Sequence, residues 1–276
     1  MKIIFYTNCQ SMGIIPNLQL NMKNIEICRI TNYSYINNKM NLPIQLLNDC
    51  DIFIYQPIDK RHGIYSTEKE QEQNILSYLK PNCLKISFPY IYNSGIWGIT
   101  KDAIDKDDGT ECGNRNAIHN LKCNSLEEVI EMYHKNNIDF NYELRFESSL
   151  EKLQEKEQKC DIKVSEFIKN NIKNHKLFFT QNHPTPYLFA FISNNILNKI
   201  KTHFPSKITR EEYEFTDHNE LCNGPKWPIS KSDIEYWKFT YIQLPEEDAD
   251  NYYIELITKY YNNIKNKDEG IADVYY

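Results

Sequence analysis

Residues 2–13 read KIIFYTNCQSMG. The apolar residues 3–6 predict a buried strand, and the apolar spacing that begins after Ser11 predicts a helix. Cys9 therefore lies on the turn between the first strand and the first helix. In a parallel sheet this turn is at the carboxyl end of the strand, where ligands bind, and the start of the helix favours a thiolate. The pattern indicates Cys9 as a nucleophile; the alternative is a small buried side chain, which is common for free cysteines.

The composition is that of a globular protein with a polar surface. Of 276 residues, 41% are hydrophobic and 25% are charged, which provides enough material for a core. The net charge of -6 argues against a general nucleic-acid-binding protein. No signal peptide opens the sequence, and no apolar stretch approaches the roughly 18 residues that cross a membrane. We expect a cytoplasmic protein whose eight cysteines are reduced.

Strands and helices alternate over the first 90 residues. Further strands are predicted at 25–30, 51–56 and 83–87, with a capped helix at 67–79 before the last of them. This alternation is typical of a parallel sheet with helical crossovers. The sequence therefore predicts an α/β fold with a central parallel sheet.

The second half of the chain is predicted to be mainly helical. A further strand at 177–180 runs into the turn QNHPTP and a helix at 187–200, which repeats the arrangement at the start of the chain. We predict one α/β domain over 1–276. Three other segments complete this prediction: an irregular insertion or lid at 88–122, a last helix at 246–264 and a loose tail at 265–276.

A thiol nucleophile needs a base, and His183 is the best candidate among the seven histidines. It follows the strand at 177–180, so it converges on Cys9 if both strands are neighbours in one sheet. The alternative is a histidine that packs beneath the flanking prolines. Asn182 is adjacent and is a candidate to orient the imidazole, although no carboxylate suited to that role is evident.

Acyl transfer also needs hydrogen-bond donors for an oxyanion. The backbone N–H groups of Cys9 and Gln10 and the side-chain amides of Gln10 and Gln56 are candidates, since Gln56 ends the third strand. The alternative for both amides is that they satisfy loop backbone.

A phosphate-bearing cofactor would need a basic subsite at the same edge. Lys60 and Arg61 form a basic cluster there, with Arg29 at the end of the second strand. Asn8 and Ser11 flank Cys9 and are further predicted cofactor contacts. The alternative for the charged cluster is a solvated loop.

Other site classes have weak support. Cys112, His119 and Cys123 have soft-ligand character, but their spacing fits no zinc pattern, so we expect no metal. The sequence contains no GxGxxG, GxxxxGK[ST] or GxSxG motif, which removes the main support for nicotinamide, P-loop and serine-elbow chemistry.

Five short segments resemble the WcbI-type polysaccharide-biosynthesis acetyltransferase family. They are FYTNCQSMG (5–13), DIFIYQP (51–57), ISFPYIYNSGIWG (86–98), TQNHP (180–184) and KWPIS (226–230). Their order matches the family pattern of a strand followed by Asn-Cys-Gln, a strand ending in Gln, and a later Asn-His-Pro. The likeness extends over roughly the first 230 residues, whereas the insertion and the C-terminal helices carry little of it.

This resemblance implies a three-layer α/β/α sandwich similar to SGNH hydrolases, with cysteine in place of the nucleophilic serine. It also implies coenzyme A binding and acetyl transfer to a sugar of a capsular or cell-surface polysaccharide. Cys9 and His183 match the nucleophile and the base, and Gln10 and Gln56 lie near the oxyanion region. SGNH enzymes usually carry Asp three residues before the His, whereas this chain has Thr180, so a Cys-His pair without a third member is expected.

Two other functions fit the same residues. A thioesterase or glycan deacetylase would use the same Cys-His pair with water as acceptor, and a glycan- or nucleotide-binding partner in a biosynthetic complex would bind without turnover. The sequence leaves the sugar acceptor, the acyl group and the oligomeric state open.

Overall fold

The structure is a computed structural model that describes residues 1–68, 73–99, 117–118, 121, 123 and 125–268. For residues 263–268 it describes the backbone alone. The strands are β1 (Lys2–Thr7), β2 (Glu26–Thr31), β3 (Ile52–Tyr55), β4 (Leu84–Ser87), β5 (Phe178–Thr180) and β6 (His183–Pro184). The first helices are α1 (Ser11–Asn21), α2 (Asn32–Asn37), α3 (Ile44–Asn48), α4 (Leu126–His134) and α5 (Tyr142–Glu157). The later helices are α6 (Ser165–Asn171), α7 (Pro186–His203), α8 (Lys231–Trp237) and α9 (Ala249–Asp268).

Four strands form one parallel sheet in the order β2-β1-β3-β4. Side chains alternate along β1, so Ile4 and Tyr6 pack into a core cluster with Leu47 of α3. Helices α1 and α7 pack against each other. Gly13 of α1 allows this close approach, because a Cβ at this position would lie 2.1 Å from the Phe189 ring of α7. The predicted α/β fold with a central parallel sheet flanked by helices is confirmed.

The contacts divide the chain into two compact units. The first comprises Met1–Ile91, Lys152–Ile172 and Lys176–Pro225 and contains the parallel sheet. The second comprises Tyr92–Glu151, Lys173–His175 and Lys226–Tyr276.

The second unit is organised around the buried carboxylate of Asp233. Its Oδ1 accepts hydrogen bonds from the Gly98 N–H at 2.9 Å and the Tyr142 hydroxyl at 2.7 Å. Its Oδ2 accepts from the Ser230 N–H at 2.8 Å and the Tyr253 hydroxyl at 3.1 Å. Burial raises the pKa of Asp233, while these donors oppose that shift. The carboxylate therefore joins three separate segments of the second unit.

The helix predicted at 67–79 is wrong where the structure describes it. Only Ile75–Tyr78 is helical, as a 3₁₀ turn, and residues 69–72 lie outside the described part of the chain. The hydroxyls of Ser66 and Thr67 bond to the backbone of Ile58 instead of capping a helix, which holds this segment extended. Asn74 is the actual cap, because its side chain accepts from Leu76 N–H at 2.9 Å.

The strand predicted at 177–180 is present as β5, but its predicted position in the parallel sheet is wrong. β5 pairs antiparallel with β6 in a separate two-stranded sheet. Pro186 is the first residue of α7, one position before the predicted start of this helix, whereas Pro184 belongs to β6. The hydrophobic pattern identified the strand but carried no information about its partner.

The remaining predictions concern the insertion and the C-terminus. Within the insertion, residues 88–99 contain neither helix nor strand, and most of 100–122 lies outside the described residues. The tail was predicted to be loose from residue 265, but α9 continues to Asp268, and 269–276 are not described. Within the part of the chain that the structure describes, no helix has the length and apolar character needed to cross a membrane.

Candidate active site

The strand register brings three polar residues to one edge of the parallel sheet. Thr7 pairs with Thr31, so the next residues, Asn8 and Asn32, lie side by side after β1 and β2. Tyr6 pairs with Tyr55, so Gln56 follows β3 beside the end of β1. Because these are carboxyl ends of parallel strands, this edge is where ligands of α/β sheets bind.

Gln10 is fully buried beneath the turn and connects three segments of the first unit. Its Nε2 donates to the carbonyls of Ile91 at 2.7 Å and Asn182 at 2.9 Å. Its Oε1 accepts from Gln56 Nε2 at 2.8 Å and from Ile91 N–H at 3.2 Å. These bonds hold the turn that carries Cys9 against the 180–183 segment.

Gln56 supports the same turn from the other side. Its Oε1 accepts from the Asn8 N–H at 2.9 Å, and its Nε2 donates to Gln10 and, at 3.5 Å, to the Pro89 carbonyl. The donors of both glutamine amides are thus used inside the protein. Their predicted oxyanion role stays a prediction, and the observed contacts are those of positioning residues.

Cys9 opens into a cavity of about 860 Å³ in the first unit. Its walls are formed by the ends of β1, β2 and β3, by residues after β4, and by the end of α5. The lining residues are Asn8, Cys9, Asn32, Tyr33, Gln56, Pro57, Ile58, Asp59, Glu68, Pro89, Tyr90, Glu155, Lys156, Lys159 and Asn182. The cavity is large enough for a sizeable organic ligand and places the half-buried thiol within its wall.

Burial dominates the ionisation of this thiol. It raises the pKa of Cys9, whereas the residue's own backbone N–H and the positive charge of Arg29 lower it by smaller amounts. The expected stabilisation of a thiolate by the turn is therefore outweighed by desolvation. Cys9 is mainly a neutral thiol at pH 7, so its activation requires a base.

The pH dependence of Cys9 alkylation should reveal this raised pKa. Because the thiolate reacts, we expect the iodoacetamide rate to keep increasing above about pH 8.5, the midpoint of an ordinary cysteine. Arg29→Gln should move the profile to still higher pH, because it removes a charge that lowers the pKa. Arg210→Gln, which removes an exposed arginine paired with Glu214, should leave the profile unchanged. A midpoint below pH 8 would contradict the dominance of burial.

The segment that carries the candidate base reaches the same site. Asn182 lines the cavity, and its backbone carbonyl accepts from Gln10. Its Oδ1 accepts from the Thr180 hydroxyl at 3.1 Å. His183 follows in β6 and is half-buried; among the described residues that line the cavity, Asn182 is present and His183 is not. The roles of His183 as base and of Asn182 in orienting it stay predictions.

The predicted cofactor contacts occupy different positions. Asn8 lines the cavity, whereas Ser11 is buried and donates to the Asn8 carbonyl at 3.3 Å. Lys60 and Arg61 lie on an exposed 3₁₀ turn outside the lining, where Arg61 pairs with Asp59 at 2.8 Å. The cavity-facing member of that loop is the carboxylate Asp59 rather than either cation.

Sequence reasoning missed the lysines that do line the cavity. Lys156 and Lys159 lie at and just after the end of α5, in a highly charged stretch of the sequence. Lys156 Nζ lies 5.6 Å from the centre of the Tyr90 ring, and Lys159 pairs with Glu68 at 2.9 Å. Both lie at one end of α5, but no sequence signal connects that end of the helix to Cys9.

A metal site has no support in the described residues. Within them, no group of three or more His, Cys, Asp or Glu side chains is placed to hold an ion. Of the three residues with soft-ligand character, Cys112 and His119 lie outside the described part of the chain.

Fold and site together define an α/β protein with a cysteine-containing ligand cavity at the carboxyl edge of its parallel sheet. The family described as "Polysaccharide biosynthesis enzyme WcbI" matches residues 2–204, and the chain belongs to this family. The resemblance predicted from the short segments is thereby confirmed.

A solved structure supports the fold. The chain is similar to WcbI, described as a novel polysaccharide biosynthesis enzyme, with a TM-score of 0.64 and 16% sequence identity over 95% of this chain and 90% of that one. That structure is of the native protein without a disulfide bond between coenzyme A and one of its cysteines. A search of curated proteins gave no match.

Proposed function

We propose that the protein is an acyl-CoA-dependent O-acetyltransferase that modifies a sugar of a bacterial capsular or cell-surface polysaccharide, and that it acts in the cytoplasm. The observation that carries this proposal is the position of Cys9, a thiol in the wall of a cavity of about 860 Å³ at the carboxyl edge of the sheet. Membership of a polysaccharide biosynthesis family supports the acceptor class. Coenzyme A, named for the similar solved structure, supports the donor.

The proposed reaction has two half-reactions. In the first, His183 takes the Sγ proton of Cys9, the thiolate attacks the thioester carbonyl carbon, and the bond from that carbon to the coenzyme A sulfur breaks. The leaving thiolate takes the proton from the imidazolium. In the second, His183 takes the proton of a sugar hydroxyl, whose oxygen attacks the acetyl carbon and displaces the Cys9 sulfur. The acetyl group ends on the sugar, and the Cys9 thiolate takes the proton from the imidazolium, which restores the free thiol.

The cavity walls supply groups suited to a coenzyme A thioester. Lys156 and Lys159 are cations at the rim that can pair with phosphates, and the apolar surface of Pro57, Ile58 and Pro89 suits a pantetheine arm. Lys159 already forms an ion pair with Glu68, so a phosphate would have to compete with this carboxylate.

Mass spectrometry after incubation with acetyl-CoA tests this function. An acetyl mass on the peptide that contains Cys9, with release of one equivalent of coenzyme A, is the expected result. Product analysis with and without a glycan acceptor then separates transfer from hydrolysis. Transfer without any acetyl mass on Cys9 would replace the two-step route by direct attack of the sugar on acetyl-CoA.

Removing the rim lysines should weaken coenzyme A binding. Lys156→Ala and Lys159→Ala are each expected to raise the Kd by up to about fivefold, because exposed ion pairs contribute about 0.2–1 kcal/mol. The effect should shrink at high salt. Calorimetric titration with coenzyme A measures it, with Lys163→Ala, an exposed lysine outside the cavity lining, as the matched control. Unchanged affinity in the double lysine variant would place the phosphates elsewhere.

A further inference from the structure

Asn32 is a cavity residue that the proposed reaction has not yet used. It follows β2 directly, and the register of β1 with β2 places it beside Asn8, one residue before Cys9. Adjacent strands lie about 4.8 Å apart, so the two asparagines are neighbours at the sheet edge. Asn32 is 5% exposed and still lines the cavity, so its small accessible surface contributes to the wall that also contains Cys9.

The orientation of the Asn32 amide is fixed by its own backbone. Its Oδ1 accepts from the Tyr33 N–H at 2.7 Å, and because a backbone N–H can only donate, the bonded atom must be the oxygen. The Nδ2 group has no hydrogen-bond partner among the residues that the structure describes. Asn32 lines the cavity, and its Nδ2 is not one of the polar side-chain atoms that are sealed from solvent without a partner, so this group can donate to an acceptor on a ligand in the cavity.

Asn8 repeats this arrangement on the neighbouring strand. Its Oδ1 accepts from the Gln10 N–H at 2.9 Å, and in the described part of the chain its Nδ2 also lacks a partner. The edge of the sheet thus has two asparagines with unused side-chain N–H₂ donors, and both line the cavity that Cys9 also lines. The donors of Gln10 and Gln56, in contrast, are already bonded within the protein.

We propose that Asn32 is a catalytic residue whose Nδ2 group, with that of Asn8, stabilises the oxyanion formed during acylation of Cys9. This inference rests on the proposed acyl transfer. When Sγ bonds to the acyl carbon, the carbonyl electron pair moves to oxygen, and the two amides donate to that negative charge. When the bond to the leaving group breaks, the carbonyl reforms on the S-acetyl group and the donors are released.

The test compares two reactions of the same sulfur. Acetylation of Cys9 by p-nitrophenyl acetate passes through an oxyanion, whereas alkylation by iodoacetamide is a direct displacement without one. Both rates are measured on the full chain by peptide mass spectrometry of the Cys9 peptide. For Asn32→Ala, the ratio of the acetylation rate to the alkylation rate is expected to fall by about 10²–10³-fold, the usual effect of removing one oxyanion donor.

Two further variants separate this role from a structural one. Asn32→Asp keeps the acceptor for the Tyr33 N–H and removes only the donor, so the ratio should fall similarly even if Asn32→Ala lowers the melting temperature. The charge that Asn32→Asp adds is avoided as an explanation because it changes the ionisation of Cys9, and this change affects both rates and cancels in their ratio. Asn37→Ala, an exposed residue at the end of the same helix, should leave the ratio unchanged.

The outcomes distinguish this inference from the proposed function. A ratio within about threefold of wild type in Asn32→Asp overturns the oxyanion role. So does a wild-type Cys9 that p-nitrophenyl acetate does not acetylate. If Cys9 is acetylated in an Asn32-dependent way by the ester but not by acetyl-CoA, the role of Asn32 stands and the acyl-CoA-dependent function fails.

Discussion

Cys9→Ala is expected to abolish acyl transfer, with a loss of about 10⁴-fold or more in the rate of coenzyme A release from acetyl-CoA. The substitution removes the only group in the proposed route that bonds to the acetyl carbon before the sugar does. Binding of coenzyme A should remain within a few-fold, because the rim lysines and the cavity walls are unchanged. The measurement combines single-turnover release of coenzyme A with calorimetric titration.

A second cysteine provides the matched control. Cys28 is half-buried on β2, outside the cavity lining, and Cys28→Ala should retain the wild-type rate. If Cys9→Ala keeps more than about a tenth of the activity, the covalent route is wrong. If the variant binds coenzyme A and the wild-type protein never turns it over, the non-catalytic binding function becomes the better explanation.

The local pattern of the sequence was sufficient to predict the central strand of the sheet and the turn that follows it. The apolar run in KIIFYT and the polar turn after it predicted β1, the start of α1 and the position of Cys9. These features depend on residues within a few positions of each other. The N-cap of α4 is equally local, since the Ser125 hydroxyl accepts from the Glu128 N–H three residues later.

Features that depend on distant partners could not be predicted in this way. Phe178–Thr180 has the composition of a strand, but its antiparallel pairing with β6 depends on which neighbours are available in space. The end of α5 contributes Lys156 to the cavity, although its sequence resembles any charged helix. Gln10 bonds to Ile91 and Asn182, which lie 81 and 172 residues away along the chain.

The site residues show the same division. Strand ends predicted that Asn8 and Gln56 would meet at one edge, and they do. Which amide keeps a free donor depends on the backbone and side-chain acceptors that lie within hydrogen-bond distance of its nitrogen. The Tyr33 N–H orients the Asn32 amide through its oxygen, and no described residue accepts from its nitrogen, whereas the Gln56 nitrogen donates to Gln10.

Gln10→Leu is expected to lower the free energy of unfolding by at least about 3 kcal/mol. The substitution removes the Gln10 partner of the Ile91 and Asn182 carbonyls and of the Ile91 N–H, and leaves Gln56 Nε2 only its 3.5 Å bond to the Pro89 carbonyl. Each unsatisfied buried group costs about 1–3 kcal/mol. The total free energy of unfolding of a typical domain is about 5–15 kcal/mol, so this loss should be evident in urea unfolding. Acetylation of Cys9 should fall with it, since the same bonds hold the turn.

The pH dependence of a second variant tests whether the loss of these hydrogen bonds causes the lower stability. Gln10→Glu keeps the acceptor for Gln56 and Ile91 N–H but places a buried carboxyl against two carbonyl oxygens, which raises its pKa in the folded state above the unfolded value of about 4.3. A raised folded pKa means that stability is fully present below the unfolded pKa and is lost as pH rises through the folded pKa. Gln10→Glu should therefore approach wild type at acidic pH and lose stability towards neutral pH, whereas Gln10→Leu should be destabilised throughout. Gln45→Leu, at an exposed position of α3, is the control and should change the free energy of unfolding by less than about 0.5 kcal/mol. An equally small change for Gln10→Leu would show that the buried amide does not hold the site together.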